Sequence, residues 1–542
     1  MVMANAFPTA ALLALLVLFY RFARSYVRWL TSPLNDLPGP PKTSFLFGYF
    51  LDISRAPFLA PHKRWWADAI SRSSVKDVDM LQYTDLFGRP SVLLLNADIV
   101  KLVLTASSSQ TPVRFPKKIP LLRNILGDGL VTLEGAAWSR HRRIIQPSFN
   151  TGFLKESLNA SIPSKVETLI SFWSKTARDG HDIDVAEHLS ALTLDIIGDV
   201  AFSHDFHALD VLQKKWTLKQ NSVGISDSDD KLSSGSDSLS TSLLESLKPT
   251  VLTAVFAVLG YPRMDLWLNP KTRRSNKCLN EAVDQVIHNA RSKAALSESS
   301  STSSSHKSLL QLLFDAKDEN DERSNKALSN IELRDEAKTF LVAGHETTST
   351  WCYWAFFALV KYPEVQQRVY DDIIQHAPGS ETIDLEALNK MTYLAAFLKE
   401  VLRLYPPVGI IIRRTSRDEN FMGHYIPTNT RLVISPHLLH RHPLYWPDPL
   451  VFSPERWLPT GGIDNEEKRH RFCYLPFSAG GRNCVGQQFA TMEVQLILAP
   501  ILRAFELHIA PSLQNIEFTF TTFVTMKAKP EFKICLSPRV AI

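Results

Sequence analysis

The chain has 542 residues, of which 45% are hydrophobic, so it is long enough to bury a large core. Its net charge of +5 is only mildly basic, which excludes little and suits an acidic protein partner or an anionic lipid surface. No nucleic-acid partner is expected. The five cysteines are odd in number and no two have the spacing of a C-x-x-C pair. This excludes a disulfide framework or a zinc site and favours a reduced, cytosol-facing protein.

The first predicted element is an apolar segment, residues 2–20, with no charged side chain before Arg21. About 20 apolar residues span a bilayer, so this segment is expected to be a membrane anchor. Arg21, Arg24 and Arg28 follow, and positive flanks stay on the cytoplasmic side, so the body of the protein should be cytosolic. A cleaved signal peptide is the alternative, but it would carry its positive charges before the apolar run. Residues 1–30 are therefore predicted to be the anchor and its basic flank.

A proline-rich stretch comes next, at residues 31–45, and contains the run Leu37-Pro38-Gly39-Pro40-Pro41. Proline fixes φ and cannot continue a helix, so this stretch is expected to form a stiff, non-helical hinge.

A small sheet is predicted after the hinge. The runs Met80 to Tyr83 and Ser91 to Leu95 flank the turn residues Phe87 to Pro90, as in a hairpin. Residues 107–127 are polar, basic and interrupted by prolines, which predicts a long loop. Apolar side chains alternate near the C-terminus, between 518 and 536, as they do in strands.

Helical patterns occupy much of the remaining chain, at residues 153–175, 185–202, 331–362 and 487–498. Two serine-rich stretches, at about 222–242 and 297–305, cannot bury a core and are predicted to be surface insertions.

Five residues near the C-terminus form the pattern Phe477-x-x-Gly480-x-Arg482-x-Cys484-x-Gly486, directly before a helical run. Five fixed positions would match by chance in a chain of this length with a probability on the order of 10⁻⁴. The N-terminus of a helix carries partial positive charge, which favours a thiolate over a thiol. A free cysteine is usually a buried structural residue, but the four companions of Cys484 favour a metal ligand.

This loop resembles the haem-thiolate loop of the cytochrome P450 family, and other motifs of that family precede it in the same order from about Pro38 onward. The resemblance implies a mainly α fold with small β-sheets, in which residues 46–542 form a single large domain behind the N-terminal transmembrane helix. It also implies a monooxygenase that inserts one oxygen atom from O2 into a lipophilic small molecule, with haem b as its cofactor.

The resemblance assigns the haem contacts. Cys484 would be the axial thiolate ligand, and Arg482 would pair with a haem propionate, which suits a planar guanidinium. Gly480 and Gly486 would let the backbone bend and approach the macrocycle closely. The further contacts are Phe477 in the loop, Trp138 and Arg142 of a W-x-x-x-R motif, and Arg414 after Pro406-Pro407.

The helix at 331–362 resembles the distal helix of the family. Ala343 and Gly344 are small and would leave room for dioxygen, while Thr347 would hydrogen-bond the dioxygen and Glu346 would relay protons with water. The competing interpretation is a threonine bonded back to its own helix carbonyl. An acid inside an apolar helix favours a functional role, because burying a charge without a partner is costly.

A third motif concerns structure rather than chemistry. Glu400 and Arg403 form an E-x-x-R pair, which alone is a weak signal because such pairs are common on solvated helices. Arg456 lies downstream in Pro454-Glu455-Arg456-Trp457, similar to the P-E-R-F motif of the family. The resemblance implies that Glu400, Arg403 and Arg456 form a buried, fully bonded cluster behind the haem loop. Losing one member would then cost about 3–5 kcal/mol.

The resemblance also implies partners and a location. The chain shows no convincing flavin or nicotinamide motif, so electrons are expected from NADPH through a separate NADPH-cytochrome P450 reductase, with cytochrome b5 as a further partner. The expected location is the endoplasmic reticulum membrane, crossed once, with the catalytic domain in the cytosol.

The sequence looks most like fungal microsomal enzymes of specialised metabolism, and a fatty-acid hydroxylase is an alternative. Two other interpretations stay open: a haem-thiolate isomerase or dehydratase, and a non-enzymatic haem-binding membrane protein. The intact Glu346–Thr347 pair argues against the isomerase, which would not need dioxygen.

Overall fold

The computed structural model describes residues 19–20, 22–72, 78–106, 113–117, 119–221, 269–299, 308–315, 327–379, 382–459, 469–522 and 525–539. Most of the predicted anchor, the serine-rich stretch at 222–242 and most of the second one lie outside these residues. Among the described helices, none combines the length and the apolarity that crossing a bilayer requires.

The chain that follows the predicted anchor is attached to the body. Residues 22–30 are helical, and the Ser25 hydroxyl donates a hydrogen bond of 3.1 Å to the Phe87 carbonyl oxygen. At the end of this segment the Lys42 ammonium donates to the Trp29 carbonyl oxygen at 2.8 Å. A lysine that binds the last carbonyls of a helix stabilises its C-terminus. The helical segment is therefore held near its middle and at its C-terminal end.

The proline-rich hinge lies against the first strand. The backbone N–H of Gln82 donates to the Pro38 carbonyl oxygen at 2.8 Å, and a side chain on Gly39 would collide with the Gln82 carbonyl. The hinge is non-helical apart from a short 3₁₀ turn at Pro33–Asp36, which comes before the run that starts at Leu37.

The largest sheet has four strands in the order β1-β2-β7-β4, which are Met80–Asp85, Arg89–Leu94, Arg431–Ile434 and Ile411–Arg414. The first two form the predicted antiparallel hairpin, which is confirmed. β7 pairs parallel with β2 and antiparallel with β4, with Ile412 opposite Val433. The register of this last pairing decides which side chains of β4 face the interior.

Three smaller sheets complete the described β-structure. They join β3 (Ile183–Asp184), β11 (Lys533–Pro538) and β8 (Phe505–Ile509); β9 (Thr519–Thr522) and β10 (Met526–Lys529); and β5 (Glu419–Phe421) and β6 (His424–Ile426).

The described α-helices are α1 (Phe50–Arg55), α2 (Ala60–Arg72), α3 (Ala97–Thr105), α4 (Pro120–Leu126), α5 (Gly135–Ile145), α6 (Thr151–Arg178), α7 (Val185–Phe202), α8 (Ala208–Asn221), α9 (Pro270–Ser299), α10 (Leu309–Asp315), α11 (Asn330–Lys361), α12 (Pro363–His376), α13 (Leu385–Leu388), α14 (Thr392–Leu404), α15 (Pro436–Leu439) and α16 (Gln487–Ala504).

The longest helix, α11, runs through the core between α7 and α16. It begins with a capping box, in which the Ser329 hydroxyl accepts from the Glu332 N–H at 3.3 Å and the Glu332 carboxylate accepts from the Ser329 N–H at 2.8 Å. This arrangement satisfies two backbone donors that a helix start leaves open. Because α11 is buried on most of its surface, it forms a fixed wall for the site.

Two sequence predictions need correction. The expected loop at 107–127 contains a helix, because Pro120 suits the first turn of α4 and Gly127 ends it with a φ of +70°. A side chain on Gly127 would also collide with the Asp335 carboxylate. The serine-rich stretch predicted from 297 begins within α9, which continues to Ser299.

Candidate active site

A largely apolar cavity of about 350 Å³ lies beneath α11. Its lining includes residues of α5, α6, α7, α10, α11, α14, β4, the first turn of α16 and the loop that precedes α16. Apolar side chains such as Leu130, Phe340 and Val408 form most of the lining. A cavity of this size and polarity is typical of a site for a cofactor or a lipophilic ligand.

The cysteine loop forms one wall of the cavity, and the Cys484 sulfur is part of the lining. The loop is closed by a hydrogen bond of 3.0 Å from the Cys484 N–H to the Phe477 carbonyl oxygen. The Phe477 ring meets the Trp351 ring of α11 edge to face, with centroids 5.8 Å apart. Arg142 donates to both oxygens of Asn483, each at 3.0 Å, and so ties α5 to the residue before the cysteine.

The two glycines of the motif have different roles. Gly480 has a φ of +72°, and a side chain there would collide with the Leu104 carbonyl oxygen at the end of α3. The backbone bend predicted at Gly480 is therefore present, and the contact with α3 adds a second requirement for glycine there. Gly486 does line the cavity, and a Cβ there would be 4.0 Å from the Cys484 sulfur.

Burial raises the pKa of the Cys484 thiol, although the sequence predicted that the following helix would favour the thiolate. The Gly486 N–H and the positive charges of Arg142 and Lys117 act in the opposite direction but do not outweigh the loss of water. A coordinated thiol is deprotonated by the charge of its metal, so bound iron would supply the stabilisation that the helix alone does not.

Four basic side chains gather around one carboxylate at an edge of the cavity: Lys117, Arg142, Arg413 and Arg482 around Glu134. Burial, then the charges of the three arginines, lower the pKa of Lys117 to about 7. Burial lowers the pKa of Arg413 and of Arg482 to about 10. The sequence analysis missed Lys117 and Arg413, although Lys117 lies in the basic segment expected near the cavity.

Arg482 is held firmly within this cluster. Its guanidinium donates to the Leu133 carbonyl oxygen at 2.6 Å and to the Glu134 carboxylate at 2.7 Å. It also lies over the Trp138 ring, 4.1 Å from the ring centroid. Arg482 and Trp138 both line the cavity, so the structure brings these two predicted residues together.

The placement of Arg414 corrects the sequence prediction. Side chains alternate between the two faces of a strand, and Ile411 of β4 lines the cavity. Arg413 shares the face of Ile411 and is buried near Glu134, whereas Arg414 points to the other face and donates to the Asn429 carbonyl oxygen at 2.8 Å. The strand arginine next to the cavity cluster is therefore Arg413.

Three residues of the distal-helix motif line the cavity: Ala343, Gly344 and Thr347. The Thr347 hydroxyl donates a hydrogen bond of 2.7 Å to the Ala343 carbonyl oxygen, so the threonine has the local bond that competes with a functional role. Gly344 also faces α7, where a Cβ would crowd the Ile197 side chain.

Glu346 does not line the cavity. Successive helix residues point about 100° apart, so Glu346 and Thr347 diverge. The Glu346 carboxylate accepts from the Thr525 hydroxyl at 2.7 Å and lies 3.3 Å from the half-exposed Lys527 ammonium. Glu346 and Thr347 are therefore adjacent in sequence, but only Thr347 faces the cavity.

The E-x-x-R motif forms a buried network. Arg403 makes a bidentate pair with Glu400, with both hydrogen bonds at 2.8 Å. Glu400 also accepts from Arg456 at 3.1 Å, from the Trp457 indole at 2.9 Å and from the Ser453 N–H at 2.9 Å. The structure thus brings the three predicted residues together, and Trp457 supplies a further bond to the carboxylate.

His440, which the sequence analysis missed, connects this network to the cysteine loop. Arg403 donates to the His440 carbonyl oxygen at 2.9 Å, and the His440 Nδ1 lies 3.1 Å from the Arg403 carbonyl oxygen. The Nε2 atom accepts from the Leu475 N–H at 2.7 Å, two residues before Phe477. Burial lowers the pKa of His440 to about 3, so the ring is neutral with its proton on Nδ1.

The residues around the cavity fit a haem. The cavity provides a cysteine sulfur in one wall, small side chains at Ala343 and Gly344 in another, and apolar surface between them. The basic side chains outnumber the one carboxylate among them, Glu134, and the two propionates of a haem would offset the excess positive charge. Without anions, this concentration of buried cations would be costly.

Comparison with known proteins agrees with this fit. A family model described as Cytochrome P450 matches residues 38–536. "Cytochrome P450 4A7" of Oryctolagus cuniculus is 30% identical over 94% of this chain and 92% of its own length. "Cytochrome P450 4Z1" of Homo sapiens is 29% identical, covering 93% and 92%. "Taurochenodeoxycholic 6 alpha-hydroxylase" of Sus scrofa is 28% identical, with the same coverage of 93% and 92%.

A solved structure supports the fold. "Crystal structure of cytochrome P450DA heme domain" superposes with a TM-score of 0.72 over 93% of this chain and 98% of that chain, at 24% identity. The family implies a haem with cysteine thiolate ligation, dioxygen, and electrons from a redox partner. The chain belongs to the cytochrome P450 family and is one of its monooxygenases.

Proposed function

We propose that this protein binds haem through Cys484 and hydroxylates a lipophilic carboxylic acid, such as a fatty acid, with one oxygen atom from O2. The observation that carries the proposal is the Cys484 sulfur in the wall of an apolar cavity that α11 also lines. Haem with a thiolate ligand supplies dioxygen activation, and the apolar walls exclude water and hold an aliphatic substrate.

The acidic substrate is supported by a relative. The Sus scrofa relative is named for the hydroxylation of a bile acid, which is an acidic lipid. The basic side chains of the cavity lining, Lys117, Arg142 and Arg482, do not bear on the substrate, because they are assigned to the haem propionates. A substrate from specialised metabolism and a fungal type of enzyme stay predictions from the sequence, and neither relative nor site favours them.

The basic cluster would hold the haem propionates. Its four members, Lys117, Arg142, Arg413 and Arg482, lie at the same edge of the cavity. The Arg482 guanidinium packs on the Trp138 ring. Phe477, Gly480 and Gly486 shape the loop that presents the sulfur. Arg414 has no part in this proposal, because it points away from the cavity.

Thr347 and Glu346 would act at different stages of proton supply. The Thr347 hydroxyl lines the cavity and could turn from the Ala343 carbonyl towards bound dioxygen, where it would donate. The Glu346 carboxylate lies on the side of α11 that faces away from the cavity. It would take protons from solvent by way of Lys527, which is half-exposed. Water would have to complete the path between the two side chains.

Membrane attachment and the redox partner extend the proposal. Residues 1–30 would anchor the protein in the endoplasmic reticulum membrane, residues 31–45 would join the anchor to the haem domain, and 46–542 would be that domain. The family match begins at residue 38, within the proposed joint. NADPH-cytochrome P450 reductase would deliver the electrons, and cytochrome b5 would be a further donor.

The test is reconstitution of the full chain with haem, NADPH and purified reductase in lipid vesicles. Dodecanoic acid and a taurine-conjugated bile acid serve as probes, with dodecane and a neutral sterol as controls that have a similar carbon skeleton but no acidic group. NADPH-dependent hydroxylation of either acid, faster than of its control, is the expected result. Conversion of a substrate without NADPH would favour the isomerase instead, and a lack of haem binding would contradict the proposal.

A further inference from the structure

The loop that joins α4 to α5, residues 127–134, forms part of the cavity wall and is bonded to α11. Leu130 and Val131 of this wall loop line the cavity. On α11, Asp335 faces the start of the loop, and its carboxylate accepts a hydrogen bond of 2.8 Å from the Asp128 N–H. None of the sequence motifs includes this aspartate, which is buried.

Two glycines bring the backbone of the wall loop close to α11. Gly127 has a φ of +70°, and a Cβ at this position would collide with the Asp335 carboxylate. A Cβ on Gly129 would collide with the Thr339 hydroxyl, and Thr339 itself lines the cavity. Because a larger residue would not fit at either position, the loop packs directly on the helix and Leu130 is held near it.

Asp335 is itself fixed by a buried partner on the same helix. The Lys338 ammonium lies 2.9 Å from the second carboxylate oxygen of Asp335, and the two side chains are 6% and 9% exposed. Removing two charges from water is costly, and apolar side chains in their place are often at least as stable. Stability therefore does not explain the pair. A carboxylate that must point in one direction to bind the Asp128 N–H does explain it.

The far end of the wall loop is held by the basic cluster. The Arg482 guanidinium donates to the Leu133 carbonyl oxygen at 2.6 Å and to the Glu134 carboxylate at 2.7 Å. Leu130 and Val131 thus lie between two fixed points, one on α11 and one beside the side chains that are proposed to hold the haem propionates. The bond to Asp335 therefore controls how far this part of the wall lies from the helix.

We propose that Asp335 is a positioning residue for the substrate: by holding the wall loop against α11, it makes the cavity fit an unbranched aliphatic chain better than a fused-ring skeleton. The inference rests on the proposed hydroxylation of an acidic lipid and narrows the substrate to straight-chain fatty acids. A wall held close to the helix gains contacts with a slender chain. It excludes a wide, rigid skeleton, because packed side chains are displaced only at a cost.

Two double variants separate the hydrogen bond to Asp128 from the buried charges. Asp335→Asn with Lys338→Met removes both charges but keeps an oxygen that can accept from the Asp128 N–H. Asp335→Leu with Lys338→Met has side chains of similar size and branching, but it has no such acceptor. Removing both charges together avoids an unpaired buried ammonium, which would be strongly destabilising. A difference between the two variants therefore reports the bond that holds the wall loop.

The first readout is amide hydrogen exchange in the haem-loaded protein, which needs neither substrate nor turnover. Peptides that span the wall loop should exchange about ten-fold faster in the variant with Asp335→Leu than in the variant with Asp335→Asn, because the bond that opposes local opening is lost. Equal exchange in the two variants would overturn the proposal.

The second readout is selectivity, measured as the dissociation constants of dodecanoic acid and of a taurine-conjugated bile acid, from the change in the haem absorption spectrum on binding. The wild type and the variant with Asp335→Asn should bind dodecanoic acid more tightly. In the variant with Asp335→Leu, the ratio of the two affinities should fall about ten-fold, as expected for one lost hydrogen bond.

Turnover with reductase and NADPH gives a third readout. The variant with Asp335→Leu should have a higher KM for dodecanoic acid than the variant with Asp335→Asn, whereas kcat should stay within about two-fold, because Asp335 does not touch the reacting atoms. A kcat that falls as far as kcat/KM, with KM unchanged, would contradict a positioning role for Asp335.

Phe356→Leu is the matched control for a loss of stability alone, because Phe356 is fully buried on α11 against Trp173 and does not line the cavity. It should leave the exchange of the wall loop and the selectivity unchanged. Unchanged selectivity with Asp335→Leu, or a wild type that prefers the bile acid, would overturn the inference and leave the monooxygenase intact. A wild type that binds neither acid would instead contradict the proposed function, and hydrogen exchange would still show whether Asp335 holds the wall loop.

Discussion

The Thr347 hydroxyl donates a hydrogen bond of 2.7 Å to the Ala343 carbonyl oxygen, one turn earlier in α11. Thr347→Ala removes this local bond and the hydroxyl that is proposed to supply protons. Neither change affects packing or the haem contacts, so the fold and haem binding should be retained. Electrons should instead be lost as hydrogen peroxide, with coupling reduced about ten-fold or more. Peroxide and product per NADPH are the measurement, and Thr347→Ser, which keeps the hydroxyl, is the control. Tight coupling in the alanine variant would remove Thr347 from proton supply.

Cys484 is expected to be the iron ligand. Cys484→Ala should abolish the thiolate-type absorption spectrum of the reduced carbon monoxide complex, because no other described residue of the cavity lining carries a sulfur atom. Cys535→Ala is the control, since Cys535 lies on β11 next to Asp182, remote from the cavity lining. An unchanged spectrum in Cys484→Ala would mean that another residue binds the iron.

Arg413 and Arg414 offer a comparison between adjacent residues. Arg413→Gln should speed the loss of haem about ten- to a hundred-fold, because a charge-assisted hydrogen bond contributes about 1.5–3 kcal/mol. Arg414→Gln should have little effect, since its guanidinium bonds to Asn429 on the other face of β4. Transfer of haem to an excess of a haem-free acceptor protein measures both rates. Faster loss of haem from Arg414→Gln than from Arg413→Gln would instead support Arg414 as the haem contact.

Glu400 is expected to matter for stability rather than chemistry. Glu400→Gln would leave Arg403 and Arg456 buried without their carboxylate, and the free energy of unfolding should fall by about 3–5 kcal/mol. Glu386→Gln is the control, because the Glu386–Lys390 pair is 82% and 61% exposed and should contribute less than about 1 kcal/mol. Urea unfolding compares the two, and equal effects would contradict the role of the buried network.

His141 should make stability depend on pH. Burial disfavours its charged form, but Glu336 at 2.7 Å and Glu332 at 3.1 Å outweigh burial and raise the pKa of His141 above 6.5. The imidazolium therefore stabilises the fold fully below pH 6.5, and this contribution is lost as the pH rises through the higher folded pKa. Burial also raises the pKa of Glu336, so ionisation of this carboxyl likewise lowers the free energy of unfolding as the pH rises.

His141→Asn is the variant that tests this dependence. The difference in unfolding free energy between the wild type and the variant should be largest below pH 6.5 and should shrink at higher pH. Urea unfolding at a series of pH values measures it, and a difference that is constant with pH would show that the pair does not titrate as inferred.

The motifs that the sequence predicted best are local ones. Cys484 and its loop depend on residues within ten positions of each other, and Glu400 and Arg403 face the same way because they are three apart on a helix. Spacing allowed Glu400 and Arg403 to meet, and the family resemblance indicated that they do so in a buried cluster. The partner Arg456 was found by its motif, although the contact joins residues far apart in sequence.

The errors came from tertiary pairing. Whether Arg413 or Arg414 faces the cavity depends on the register between β4 and β7, and the sequence of β4 alone does not determine that register. Glu346 has its partners Thr525 and Lys527 on and beside a strand near the C-terminus, so its direction could not be inferred from α11.

The attachment of residues 22–30 through Ser25 and Lys42 fixes the direction in which this helical segment leaves the body of the protein. With the proposed anchor in a bilayer, tilting the segment relative to the membrane would therefore tilt the haem domain with it. Lys42→Ala should weaken this coupling, because it removes the bond at the C-terminal end of the segment.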